Sequence, residues 1–152
     1  MQVEEFLRII ERLAPASLAA DWDNVGLQAG SRLSSIDSVL VALNLTDEVL
    51  TEAAAMDCRL VLVHHPLIVN PIVSASEDSD TGRLISRAAR EGIAVVAAHT
   101  NLDAARGGLA DIMAELLGLR AGVPLQATTR SLSKLVGFRR HAAMGTVREA
   151  DF

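Results

Sequence analysis

The run Leu60-Val61-Leu62-Val63-His64-His65-Pro66 constrains this chain more than any other stretch. Four aliphatic residues without a polar break read as a short strand buried on both faces. Such strands belong to parallel sheets covered by helices on either side. Pro66 cannot donate to a ladder and holds the residue before it extended, so pairing stops at His65. In open α/β sheets, ligands bind beyond the carboxyl ends of the strands. His64 and His65 therefore stand where such a fold places its chemistry. Successive strand residues point to opposite faces, so the two imidazoles share one small site only if the strand is ending there. Otherwise they serve two neighbouring ions.

The flanking segments supply the rest of an α/β pattern. Val3, Phe6, Leu7, Ile10 and Leu13 fall at helical spacing, and Pro15 stops that helix. Ala20 to Leu27 reads as a turn-rich loop holding the only tryptophan. Ser38 to Leu45 reads as a strand. Thr46 is an N-cap with Asp47 and Glu48 in the first turn, for a helix running to about Met56. After Pro66, Asn70 to Asp80 reads as a surface loop, Thr81 to Glu91 as a helix stopped by Gly92, and Ile93 to Ala98 as a third strand. Gly107-Gly108 opens a further helix to Leu117. Strand, helix, strand, helix, strand makes two βαβ units, so the expected class is α/β, a largely parallel sheet with helices on both faces. Arg120 to Ser133 reads as loop, Lys134 to Arg139 as one more strand, and Met144 to Phe152 as the start of a helix without a stop signal. The expected division is a domain at 1–130 and the cut-off start of a second at 131–152.

Composition narrows the function classes. Half of the 152 residues are hydrophobic but only 3% are aromatic, so the core is aliphatic. A net charge of −5 disfavours a nucleic-acid binder, which needs a basic surface. No apolar run approaches the ~20 residues of a membrane span. Glu4 and Glu5 are unlike a signal peptide, and Cys58 has no partner for a disulfide, which together point to the cytoplasm. Cys58 itself reads as a small buried hydrophobe.

His64 and His65 end one strand, and His99 and Asp103 follow the end of the next. Right-handed crossovers bring both ends to the same edge of the sheet. Imidazoles with a carboxylate are ligand types for Zn, Mn or Fe, and a carboxylate such as Asp103 can bridge two ions. The plainer alternative has His64 and His65 capping the strand through backbone hydrogen bonds. Trp22-Asp23-Asn24 reaches the site or, on the simpler reading, forms an Asx turn. Gly107-Gly108 receives a phosphate or is only a flexible helix entrance. Asn44 and Asp47 are candidate supports for the site, although the helix dipole accounts for Asp47, and His141 reads as solvated.

Trp22-Asp23-Asn24-Val25-Gly26-Leu27, His64-His65-Pro66 and His99-Thr100-Asn101-Leu102-Asp103, in that order, resemble the GTP cyclohydrolase I type 2 homologue family, also called the NIF-three-like family. The likeness covers about residues 1–120. It implies an α/β protein with a dinuclear centre of divalent metal ions, often assembled as a toroidal homo-hexamer. By position, His64, His65 and Asp103 correspond to metal ligands, and His99 to a histidine lining the site, a catalytic proton carrier or a ligand in some metal states. In that family a histidine and a glutamate from a C-terminal region complete the site, and this sequence has no such region. Lys134 to Phe138 and Val147 to Ala150 are similar to the beginning of a domain that some members insert between their halves. The resemblance thus implies the N-terminal half of a longer protein. It would be a metal-dependent hydrolase of a nucleotide or another cyclic or phosphorylated small molecule, with water activated by the ions. The alternative is a non-catalytic metal-binding or scaffolding domain. Apolar surface left by a missing half would promote association, so the chain is not expected to behave as a monomer.

Overall fold

The computed structural model describes residues 1–127 and 138–146, with side chains described through residue 119. Its frame is a four-stranded sheet built from β1 (Gly26–Ala29), β2 (Leu40–Ala42), β3 (Leu60–Val63) and β4 (Ala94–Ala97), in the order β1-β4-β3-β2. β2, β3 and β4 are parallel, as two βαβ units require, and β1 joins the far edge antiparallel to β4. The expected α/β class holds, with one strand reversed. No helix of the described residues is long and apolar enough to cross a membrane.

Side-chain alternation along the two central strands divides the core. Val61, Val63, Val95 and Ala97 face α2 (Asp47–Ala55) and α3 (Asp80–Glu91), meeting Leu50 and Ala53 from the first and Leu84 and Ala88 from the second. Leu60, Leu62, Ala94 and Val96 face the other way, toward Val3, Phe6 and Leu7 of α1 (Val3–Leu13). The central strands are thus covered on both faces, which is why both are aliphatic at every position. Each fully buried Val or Leu contributes about 1.5–3 kcal/mol. Cys58 is buried with them, its thiol donating to the Leu60 carbonyl at 3.2 Å.

Local chemistry sets the ends of these elements. The Thr46 hydroxyl accepts from Val49 N–H at 3.3 Å and the Ser79 hydroxyl from Gly82 N–H at 3.1 Å, each satisfying a free donor of a helix start. Gly92 stops α3 in the left-handed conformation, at φ +66°.

Several segments differ from the sequence expectation. The strand expected over Ser38 to Leu45 shortens to Leu40–Ala42, an edge strand that pairs only with β3 among the described strands. The loop expected over Ala20 to Leu27 ends in β1, whose Gly-Leu-Gln-Ala sequence carries little strand propensity of its own. Gly30 closes β1 at φ +96°, and a Cβ there would stand 2.8 Å from Ala94 Cα, so only glycine lets the strand lie this close to β4. Arg120 to Ala127 is not a loop. It is β5 (Arg120–Ala127), antiparallel to β6 (Phe138–Thr146), and Pro124 is tolerated because the register shifts there. Met144 to Thr146 accordingly extends β6 and does not open a helix. The remainder of that expected helix, residues 134–137 of the expected strand and the boundary drawn at residue 130 lie outside the described residues.

Candidate metal centre

The carboxyl ends of β3 and β4 place four of the expected residues together. His64 N–H donates to Ala42 O at 3.1 Å and His65 N–H to Leu43 O at 2.9 Å, so both histidines are still held against the chain leaving β2. Beside them, Ala98 N–H donates to Val63 O at 3.0 Å, and His99 ends the ladder. His99 then caps a one-turn helix, α4 (Thr100–Ala104), its carbonyl accepting from Leu102 and Asp103. That turn returns the Asp103 carboxylate to 3.7 Å from His64 Nε2. The helix was absent from the sequence expectation because five residues are too few to show a period.

One ring nitrogen each from His64, His65 and His99 lie within 4.8 Å of one another. The ring centroids are 4.9 Å apart for His64 and His65, 5.0 Å for His64 and His99, and 5.4 Å for His65 and His99. The rings of the adjacent pair therefore lie together at the strand's end. About 3.3 Å separates neighbouring ligands around a tetrahedral ion with bonds of about 2.0–2.1 Å, so small rotations would close the cluster on one.

The other ring nitrogens are all occupied. His64 Nδ1 lies 3.0 Å from Ala98 O, His65 Nδ1 lies 2.7 Å from Asn44 Oδ1, and His99 Nδ1 lies 3.0 Å from Asp23 Oδ1. A carbonyl, an amide oxygen and a carboxylate can only accept, so each neutral imidazole carries its proton on Nδ1 and keeps a lone pair on Nε2. Metal-ligating histidines are typically held in this way. The donor set of three such imidazoles with a neighbouring carboxylate suits Zn, Fe or Mn. Capping of the strand by backbone hydrogen bonds and ligation are not alternatives here, since one face of the His64 ring does the first and leaves the second free.

Asp23 is the residue that sequence reasoning undervalued. Its Oδ1 accepts from the adjacent Asn24 N–H at 2.8 Å, one residue on and not the two of the expected Asx turn, and the same carboxylate reaches His99 and Thr100 across the sheet edge. Burial pushes this carboxyl up, but the hydrogen bonds from Thr100 and His99 pull harder and hold it below the ordinary range. Its neighbour Trp22, 62% exposed, sets its ring edge-on to His99 at 5.9 Å between centroids. Asn24 fastens the loop by donating to Ile68 O at 2.7 Å. Thr100 and Asn101 are the two buried polar residues of the described core, and Asn101 takes His99 N–H at 2.9 Å while donating to Ala14 O at 2.7 Å. The available signal was an acid beside the only tryptophan of an otherwise aliphatic chain.

The remaining candidates fall elsewhere. Asn44 supports His65, but Asp47 pairs with Arg83 and Arg87 between α2 and α3, which hold its carboxyl below the usual range. Gly107-Gly108 precedes α5 (Leu109–Leu116), and Gly108 packs on α4, where a Cβ would stand 2.0 Å from Leu102 O. That close approach explains this glycine without a phosphate. The His141 side chain lies outside those described.

Residues 1–150 match the family model described as Duf34/NIF3 (NGG1p interacting factor 3). The chain belongs to the Duf34/NIF3 family. This NIF3-family chain is 41% identical over 145 residues to the GTP cyclohydrolase 1 type 2 homolog of Halalkalibacterium halodurans, covering 95% of this chain and 39% of that protein. With the homolog from Clostridium perfringens it shares 39% identity over 123 residues, 81% of this chain and 47% of the other. Among solved structures, the Bacillus cereus protein related to NIF3 superposes with a TM-score of 0.79 at 38% identity, over 84% of this chain and 35% of that one. The chain spans less than half the length of each of these relatives.

Proposed function

We propose that His64, His65, His99 and Asp103 are the metal-binding face that this chain contributes to a divalent-metal-dependent hydrolase, acting on a nucleotide or another cyclic or phosphorylated small molecule. The supporting observation is that all three imidazoles give Nδ1 to an acceptor-only partner while clustering within 4.8 Å. Divalent ions held there supply Lewis acidity and lower the pKa of water. His64, His65 and Asp103 would be the residues that hold such ions. His99 joins the imidazole ligands, since its ring is as close to His64 as the His65 ring is. The same reading takes the two-ion centre as needing ligands from beyond this chain, assembles the protein as a homo-oligomer, and puts it in the cytoplasm. Val41 and Leu43, exposed on the edge strand and just beyond it, are surface that such assembly would cover.

The second reading, a non-catalytic metal-binding or scaffolding domain, is favoured by one observation: among the described residues the three clustered imidazoles, with Asp103 beside His64, make up one ion position. One experiment separates the two. Metal per chain is measured by elemental analysis after loading with Zn, Mn or Fe, for the 152-residue protein and its His64→Ala and Asp103→Ala variants, beside release of product from a nucleotide panel. The hydrolase reading expects bound metal that falls in both variants, with turnover that falls in parallel. Metal without turnover would leave the binding-domain reading. A wild-type chain that takes up no metal sinks both.

A further inference from the structure

We infer that Asp23 is a positioning residue for His99, holding its ring so that Nε2 faces the metal site before any ion arrives; this rests on the metal reading above. The Asp23 carboxylate is fully enclosed, with 0% of its side chain exposed, and both oxygens are saturated. Oδ1 takes Asn24 N–H at 2.8 Å and the His99 ring at 3.0 Å, and Oδ2 takes the Thr100 amide at 3.1 Å and the Thr100 hydroxyl. That hydroxyl in turn accepts Ala20 N–H at 2.9 Å, from the turn that leads into Trp22. The carboxylate therefore cannot rotate away without leaving the Asn24 and Thr100 donors unpaired. Its grip on His99 is fixed by groups other than His99.

The three supports differ in what they do. Ala98 O, beneath His64, is backbone and cannot be removed by a side-chain change. Asn44, beneath His65, is open to water that can replace it. Asp23 alone is a buried, charged support, contributed by a loop 76 residues away in sequence. A carboxylate behind a ligating imidazole fixes the tautomer and raises ligand basicity, and its loss typically costs about 10–100-fold in metal affinity.

The test reads the tautomer of each histidine by two-bond ¹H–¹⁵N correlation in the metal-free 152-residue protein, at a pH where the rings are neutral. It also reads Co²⁺ affinity by d–d absorbance. In the wild type all three rings are expected to carry the proton on Nδ1, although a free imidazole in water favours Nε2. Asp23→Ala should release His99 alone, leaving the His64 and His65 tautomers unchanged, and weaken Co²⁺ binding about 10–100-fold. Asp23→Asn, which keeps an oxygen toward the ring, should restore the tautomer and bind with intermediate affinity. A purely structural role in holding the Asn24 and Thr100 backbone would not move the tautomer of one ring. A wild-type His99 protonated on Nε2 overturns the inference whether or not any variant folds. So does a folded Asp23→Ala chain with an unmoved tautomer and Co²⁺ affinity. Absence of Co²⁺ or Zn²⁺ uptake by a wild-type chain with the expected His99 tautomer would instead refute the metal reading, leaving Asp23 as the residue that orients the ring.

Discussion

Gly108→Ala is expected to damage the metal site while leaving every candidate ligand in place. Gly108 has φ −80°, so alanine fits its backbone, but the added Cβ would stand 2.0 Å from Leu102 O and 2.8 Å from Ala105 O. Carbon and carbonyl oxygen rest no closer than about 3.3 Å, so the Leu102 carbonyl must retreat by roughly 1 Å. That carbonyl belongs to the peptide linking Leu102 to Asp103, and the displacement carries the carboxylate that now lies 3.7 Å from His64 Nε2. Metal sites tolerate deviations of only about 0.2 Å. The expected result is an affinity loss of about tenfold or more, comparable to losing a supporting residue. Overpacking of this kind costs about 1–3 kcal/mol. For a chain of this size that lowers Tm by about 2–4 °C per kcal/mol. Gly107→Ala is the matched control. At φ +70° it pays a left-handed penalty of roughly 1–2 kcal/mol, yet nothing lies within 4 Å of its Cβ. The two variants should melt similarly and differ in Zn²⁺ affinity measured by competition with a chelator. Equal, wild-type-like affinities in both would refute the claim that α4 packing positions Asp103.

Three further outcomes are expected. Asn44→Ala removes the 2.7 Å support of His65, but that side is exposed and water can replace it, so metal affinity should fall less than in Asp23→Ala; a larger fall would contradict the burial argument. Arg83 first, with Arg87, holds the Asp47 carboxyl below the ordinary carboxylate value of about 3.9, so its contribution is present above that pH and lost as pH falls through the lower folded value. The Tm difference between wild type and Asp47→Asn should accordingly shrink below about pH 4, and a difference constant down to pH 2 would refute it. Trp22 is the only tryptophan and sits 5.9 Å from the His99 ring, so Co²⁺ binding should quench its emission and a chelator should restore it; bound Co²⁺ by absorbance without quenching would place the ion elsewhere.

The central fold was legible because burial on both faces leaves one signal. Leu60 to Val63 and Ala94 to Ala97 have no solvent side, so their residues are uniformly aliphatic and bounded by turn residues. The peripheral strands lacked that signal. β1 and β2 lie at edges of the sheet, where three or four partly buried or exposed residues suffice and too few accumulate to show a pattern. β5 was hidden by Gly122 and Pro124, which normally argue against a strand and are accommodated here where its register against β6 shifts.

At the site the same division separates the candidate ligands from their supports. His64, His65, His99 and Asp103 could be found because sheet topology alone brings the ends of adjacent parallel strands together, and histidine is an uncommon choice there. Asp23 could not be joined to His99 by that rule. Its loop precedes an antiparallel edge strand that the sequence does not announce, and only the pairing of Gly26 with Ala97 brings the loop to the end of β4. An Asx turn was a sufficient explanation of the residue type, although the local bond that Asp23 makes is to the amide of the very next residue. The general consequence is that a residue satisfying one local requirement still has unused hydrogen-bonding capacity. A carboxylate has about four acceptor sites, and the bond from Asn24 N–H uses one. When such a residue also becomes fully enclosed, the remaining capacity must be met by other donors, and the identity of those donors is where its function is read. For Asp23 they are Thr100 and the ring of His99.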